Sequence, residues 1–127
     1  MKRLLFTPDA PKPAGPYSQA VELGNLVFVS GQLGIDPMTG KLVPDGAKEE
    51  TSRCLSNLEA ILRAGGMTRS DVLRTTLFVT DLERFREVNE VYGAFFDRDP
   101  PARTTVQVSR LPLGASVEID AIAIRDG

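Results

Sequence analysis

The sequence predicts an α+β fold in which two helices cover one face of a mixed sheet. Three observations carry that expectation. The hydrophobic period changes along the chain in the order β-β-β-α-β-α-β-β. Only two stretches show helical spacing, one over 47–64 and one opening near Thr80. The closing strand, "SVEIDAIAI", carries apolar residues on both of its sides.

Taken in order, "KRLLF" forms a short first strand and "DAPKPAGP" a proline-rich connector. "YSQAVELGNLVFVSGQ" reads as two strands around a "GN" turn, a β-hairpin signal. Residues 31–46, "GQLGIDPMTGKLVPDG", form a long loop rich in Gly and Pro, of the kind that serves function or moves. From Ala47 to Ala64 the residues Ala47, Thr51, Cys54, Leu55, Leu58, Ile61 and Leu62 recur at helical spacing, and Gly65–Gly66 stops the helix. "VLRTTLFVT" is β-branched and extended. Thr80 and Glu83 fit a capping box for the second helix, whose apolar face is Leu82, Phe85, Val88, Tyr92 and Phe95/Phe96. "ARTTVQVS" and "SVEIDAIAI" complete the strands.

In the last strand Val117, Ile119, Ala121 and Ala123 lie on one side, with Glu118, Asp120, Ile122 and Ile124 on the other. Apolar residues on both sides require cover on both. With two helices packed on the same face, a partner subunit is the expected cover for the second, which predicts a homo-oligomer.

The 127 residues form one expected domain, 1–127, large enough to bury about two-thirds of its unfolded surface. Hydrophobic content of 42% and charged content of 25% are ordinary for a globular chain. A net charge of −2 and a pI near 5.2, with basic residues spread along the chain, disfavour nucleic acid as a partner. The apolar run at the start ends after "LLF", too short for a signal-peptide core, and no segment reaches membrane-spanning length. One cysteine precludes an intrachain disulfide and leaves no thiol set for zinc. The expectation is a cytoplasmic protein without metal or cofactor.

The chain has no histidine. Ser–His–Asp and Cys–His nucleophile systems are thereby excluded, and chemistry falls to carboxylates, Arg, Lys, Tyr, hydroxyls, Cys54 or backbone amides. "GIDPMTGK" resembles a phosphate-binding P-loop but has five residues between its glycines instead of four, and Leu42 stands where Ser or Thr is needed. Cys54, in the apolar stripe of the first helix, reads as a buried small hydrophobe.

Tyr17 follows "GP" at a strand entrance and reads as a half-buried aromatic. Ser30–Gly31 is either a plain strand end or a place where a ligand approaches the backbone. Asn89 lies mid-helix beside the apolar stripe, where a half-buried amide needs partners. Glu118 is either a solvated strand acid or, beside Ile122 and Ile124, a carboxylate of raised pKa fit for proton transfer. Arg103 follows "PP" at the head of a strand and shares a face with Thr105 and Gln107. It is either an edge arginine in water or a fork held stiffly for a carboxylate. If the last two strands formed a simple hairpin, Arg103 would lie opposite residue 123, about 17 Å from Glu118. Either the strands are not paired that way, or the two groups meet across a subunit boundary; the separation suits a site shared between subunits better than one within a monomer.

"APKPAGPYSQAV", "VFVSGQLGIDPMTG", "FVTDLERFREVNEVYGAFF", "PPARTTVQVSRLP" and "VEIDAIAI" closely resemble the RidA (YjgF) family of reactive-intermediate deaminases, in order and over roughly residues 4–125. The resemblance implies a chorismate-mutase-like α+β fold and a homotrimer with sites between subunits. It also implies hydrolysis of 2-iminobutanoate and 2-iminopropanoate, imines and enamines released by pyridoxal-phosphate enzymes, to 2-oxo acids and ammonia. Arg103 falls on the family's carboxylate-binding arginine and Glu118 on its water-activating glutamate. Tyr17, Ser30, Gly31, Asn89 and Thr105 match substrate-pocket positions, Thr105 standing where some members carry cysteine. The chemistry suits the chain, because an imine is already electrophilic and its hydrolysis needs neither metal nor covalent nucleophile. Two rival expectations remain: a trimer that binds small carboxylates without turnover, and an RNA-directed nuclease or translation inhibitor.

Overall fold

The computed structural model describes residues 1–126. Its strands are β1 (Arg3–Leu5), β2 (Ala20–Leu23), β3 (Leu26–Leu33), β4 (Ile35–Asp36), β5 (Lys41–Leu42), β6 (Val72–Val79), β7 (Ala102–Gln107) and β8 (Val117–Ile124); its helices are α1 (Ala47–Ala64) and α2 (Phe85–Phe95). Six strands make one mixed sheet in the order β1-β2-β3-β8-β6-β7, and β4 pairs with β5 as a separate hairpin.

Helix α1 follows from its sequence at both ends and along its length. Glu49 and Glu50 place negative charge in the first turn, where the helix dipole favours it. At the other end Gly66, at φ 74, closes a Schellman motif: Met67 N–H donates to Leu62 O at 2.9 Å and Gly66 N–H to Arg63 O at 3.0 Å. The predicted stripe of Cys54, Leu55, Leu58, Ile61 and Leu62 is wholly buried, against Val27 and Val29 of β3, Leu77 and Val79 of β6, and Val117 and Ile119 of β8. Replacing Leu58 by alanine is expected to cost about 2–5 kcal/mol, because a side chain with no exposed surface leaves a cavity that its neighbours only partly fill. Chemical denaturation measures the loss.

Helix α2 lies on the same face as α1. Its buried Tyr92 joins the sheet through a 2.6 Å hydrogen bond with Thr75 Oγ1. Its start differs from the expected Thr80–Glu83 capping box. Asp81 is the cap, its Oδ1 accepting from Glu83 N–H at 2.9 Å, and a 3-10 turn over Leu82–Arg84 precedes the helix. That tighter turn shifts the phase, so Leu82 is exposed and the apolar face begins at Phe85. The capping box of this chain stands instead at Thr68 and Asp71. The long segment 31–46 is also more ordered than a plain loop, since β3 runs on to Leu33 and β4–β5 follows.

The two closing strands are not a hairpin. β7 pairs parallel with β6 after the crossover through α2, while β8 inserts between β3 and β6, antiparallel to both. The alternation predicted for β8 holds: Val117, Ile119, Ala121 and Ala123 are buried beneath the helices. The opposite sheet face carries Leu26, Phe28, Val106 and Ile124, all more than a third exposed, around Arg74, Thr76 and Asp120.

Candidate active site

Arg103 lies on β7, an edge strand, in register with Thr75. Thr75 is buried on the helix side, so Arg103 rises on that side beside α2. Its Nη1 donates to Asn89 Oδ1 at 2.8 Å. Its guanidinium also lies 4.8 Å from the Tyr92 ring centroid and 5.2 Å from that of Phe85. One hydrogen bond and two aromatic faces thus hold the fork in place, while its other donors have no hydrogen-bond partner among the described residues. Asn89 is exposed rather than half-buried, and Arg103 is the partner it was expected to need. Burial raises the Tyr92 phenol above its ordinary pKa, with the Thr75 hydrogen bond and the Arg103 charge opposing the rise. Thr105, on the same face of β7, has a buried Oγ1 without a hydrogen-bond partner among the described residues.

Glu118 occupies a different place. It sits between buried Val117 and Ile119 on β8, so it points to the sheet face opposite the helices. Leu33 and Phe78 flank it in register on β3 and β6. Burial raises its pKa, and the nearby Asp120 carboxylate adds to the rise. Gly31 lies where the β3–β8 register slips between Val29 and Gln32, and a Cβ there would stand 2.8 Å from Glu118 Cδ and overlap Oε2. The glycine is therefore required by the carboxylate. Gly31→Ala is expected to push Glu118 off its position and abolish its function, which an activity assay paired with a thermal melt reads separately from unfolding.

Glu118, Gly31 and Tyr17 line one cavity of about 310 Å³. Tyr17 is 52% exposed, close to the expected half-burial, and its hydroxyl accepts from Ala14 N–H at 3.2 Å. Ser30 is half-buried outside the cavity lining, its hydroxyl donating to Ser18 O at 2.6 Å. Reading the residues did not single out Gln19, which builds the wall. Buried Gln19 accepts from Thr7 N–H at 2.7 Å and donates to Thr7 O and Pro11 O, both at 3.0 Å. Those bonds strap the proline-rich connector over the cavity. Leu33, Ile35, Pro112 and Leu113 supply apolar walls and were likewise unmarked. No local signal reports that a loop and a distant strand end will meet.

Neither Arg103 nor Asn89 lines this cavity. Glu118 pairs with Phe78 and Arg103 with Thr75, three residues along and one strand further out. The two groups are thus about 14 Å apart in the sheet plane, on opposite faces. Within one chain they cannot grip the same small molecule. Cys54, by contrast, is as expected: fully buried, its thiol pushed well above the usual range by burial and by the Glu50 and Glu118 charges. Among the described residues no cluster of metal-ligating side chains occurs, and no helix is long and apolar enough to cross a membrane.

A sheet backed by two helices on one face, with an apolar carboxylate-bearing cavity on the other, defines an α+β protein. The family model described as Endoribonuclease L-PSP matches residues 7–125. A RutC family protein of Pyrococcus horikoshii is 46% identical over 126 residues, covering 99% of this chain and 100% of the relative. The 2-iminobutanoate/2-iminopropanoate deaminase of mouse is 43% identical, covering 98% and 93%. The crystal structure of E. coli TdcF with bound serine superposes with a TM-score of 0.94 at 42% identity, covering 98% and 99%. The chain belongs to the RidA (YjgF) family.

Proposed function

We propose that this chain hydrolyses 2-imino acids, 2-iminobutanoate and 2-iminopropanoate among them, to 2-oxo acids and ammonia. We further propose that it works as a cytoplasmic homotrimer whose sites lie between subunits. The observation that carries the reading is Glu118, a carboxylate of raised pKa seated on a side-chain-free Gly31 inside an apolar cavity. The mouse relative's name supplies the reaction class, and the serine bound to E. coli TdcF is a small carboxylic acid of similar size.

In this reading Arg103 of one subunit grips the substrate carboxylate with its free donors, and Glu118 of a neighbour faces C2. Glu118 accepts a proton as water adds to C2 of the protonated imine. The resulting carbinolamine takes that proton back on nitrogen. The C–N bond then breaks, ammonia leaves with its electron pair, and the hydroxyl oxygen, losing its proton to Glu118 and through it to the departing ammonia, becomes the 2-oxo group. Every proton needed is passed by one carboxylate, so histidine is not missed. The 14 Å gap across opposite faces is what makes a second copy necessary, and the exposed Leu26, Phe28, Val106 and Ile124 offer it an apolar surface.

The test couples the protein to a threonine or serine dehydratase and follows 2-oxo acid formation from the released imine. Acceleration over the uncatalysed rate supports the reading, and an unchanged rate overturns it. The endoribonuclease name of the family model keeps a nuclease in view, but a net charge of −2 offers phosphates little attraction. Salt-sensitive RNA binding with cleavage would revive it.

A further inference from the structure

We propose that Leu113 selects the substrate's side chain, favouring 2-imino acids with an apolar chain longer than ethyl. The inference rests on the deaminase reading above and extends it to a residue that the family resemblance does not single out. Leu113 lies in a tight turn over Pro112–Gly114, closed by Gly114 N–H to Leu111 O at 3.3 Å and Ala115 N–H to Pro112 O at 3.1 Å. Its backbone is left-handed, at φ 61, and Gly114 follows at φ 71. Such a position favours Gly or Asn, and leucine occupies it at a conformational cost. Its isobutyl group is 68% exposed and lines the same cavity as Glu118 and Gly31.

The geometry of a 2-imino acid then settles what meets that group. The carboxylate goes to Arg103, outside this cavity, and C2 goes to Glu118. Of the two remaining substituents on C2, the imine nitrogen is polar and stays with Glu118, so the apolar side chain faces the walls made by Leu33, Ile35, Pro112 and Leu113. The cavity measures about 310 Å³ on the single chain. The ethyl group of 2-iminobutanoate fills only a small part of it. A branched four-carbon chain displaces more water and touches Leu113.

The experiment compares kcat/KM for the imine made from leucine by an amino-acid oxidase with that for 2-iminobutanoate made by threonine dehydratase. Leu113→Asn removes the alkyl group but tolerates the left-handed turn, and Leu113→Met restores an apolar chain. The ratio of the two kcat/KM values is expected to fall about tenfold or more in Leu113→Asn, the scale of a methylene-sized contact in a pocket, and to recover in Leu113→Met. A ratio unchanged within about twofold, in an Asn variant that melts like wild type, overturns the proposal. Calorimetric binding of 4-methyl-2-oxopentanoate and 2-oxobutanoate gives a second readout. If no imine is turned over, the deaminase reading fails, while the ratio of the two Kd values still decides the role of Leu113. Failure of both oxo acids to bind overturns both.

Discussion

Replacing Arg103 by alanine is expected to lower kcat/KM for 2-iminobutanoate by about 10²–10⁴-fold. Two charge-assisted hydrogen bonds to a carboxylate contribute about 1.5–3 kcal/mol each, and each 1.4 kcal/mol is a tenfold change. The loss is large because the fork is pre-positioned by Asn89 and by the faces of Tyr92 and Phe85, so little freedom is lost on binding. Arg103→Lys is expected to recover only part of the loss, since an ammonium keeps the charge without the planar two-point geometry. Arg103 is exposed on an edge strand, so its removal is expected to shift stability by no more than about 0.5 kcal/mol. The coupled dehydratase assay and a thermal melt together check the prediction. An Arg103→Ala variant as active as wild type would sink both the site and the reaction.

The second large effect is expected at Glu118. Glu118→Gln keeps the shape but cannot accept a proton, so kcat is expected to fall about 10²–10⁴-fold while 2-oxo acid binding persists. The pH dependence has a definite sign. Burial first, and Asp120 second, raise the Glu118 pKa, so the working ionised form appears only above that raised value. The acid limb of the kcat/KM profile is therefore expected at higher pH than an ordinary glutamate gives, with activity lost as pH falls through it. The same shift means that ionising Glu118 costs stability: its contribution is greatest at low pH and is lost as pH rises through the raised pKa. A trimer that only captures carboxylates gives a different pattern. There Glu118→Gln costs little, while Arg103→Ala abolishes ligand-dependent thermal stabilisation.

Much of the architecture was legible in the residues. The α1 stripe from Cys54 to Leu62, the Gly65–Gly66 stop and the two-sided pattern of β8 each express a local period, and local periods survive folding. Where local rules competed, position shifted. Thr80 and Asp81 both suit a helix cap, and only the 3-10 turn at 82–84 shows that Asp81 takes the role. The candidate site divides in the same way. Arg103 and Glu118 stand out by residue type, strand position and family resemblance. Gln19, Ile35 and Leu113 carry no such mark, because their contribution depends on which loops the fold brings together.

The sequence by itself determined the chemical repertoire. Without histidine, and with Cys54 in an apolar helical stripe, proton transfer and anion binding fell to carboxylates, Arg, Lys, Tyr, hydroxyls or backbone amides, and the family resemblance singled out Glu118 and Arg103 among them. It also determined the extent of α1 and the faces of β8, since these depend on side-chain period and a glycine stop. Only the tertiary structure decided where those groups stand. Inserting β8 between β3 and β6 brings Glu118 onto Gly31 and beside a cavity that neither strand could form alone. The parallel pairing of β7 at the sheet edge sends Arg103 to the opposite face. Strand order is a long-range property, set by the hydrogen-bond partners each strand finds, and it sets Arg103 and Glu118 on opposite faces of the sheet.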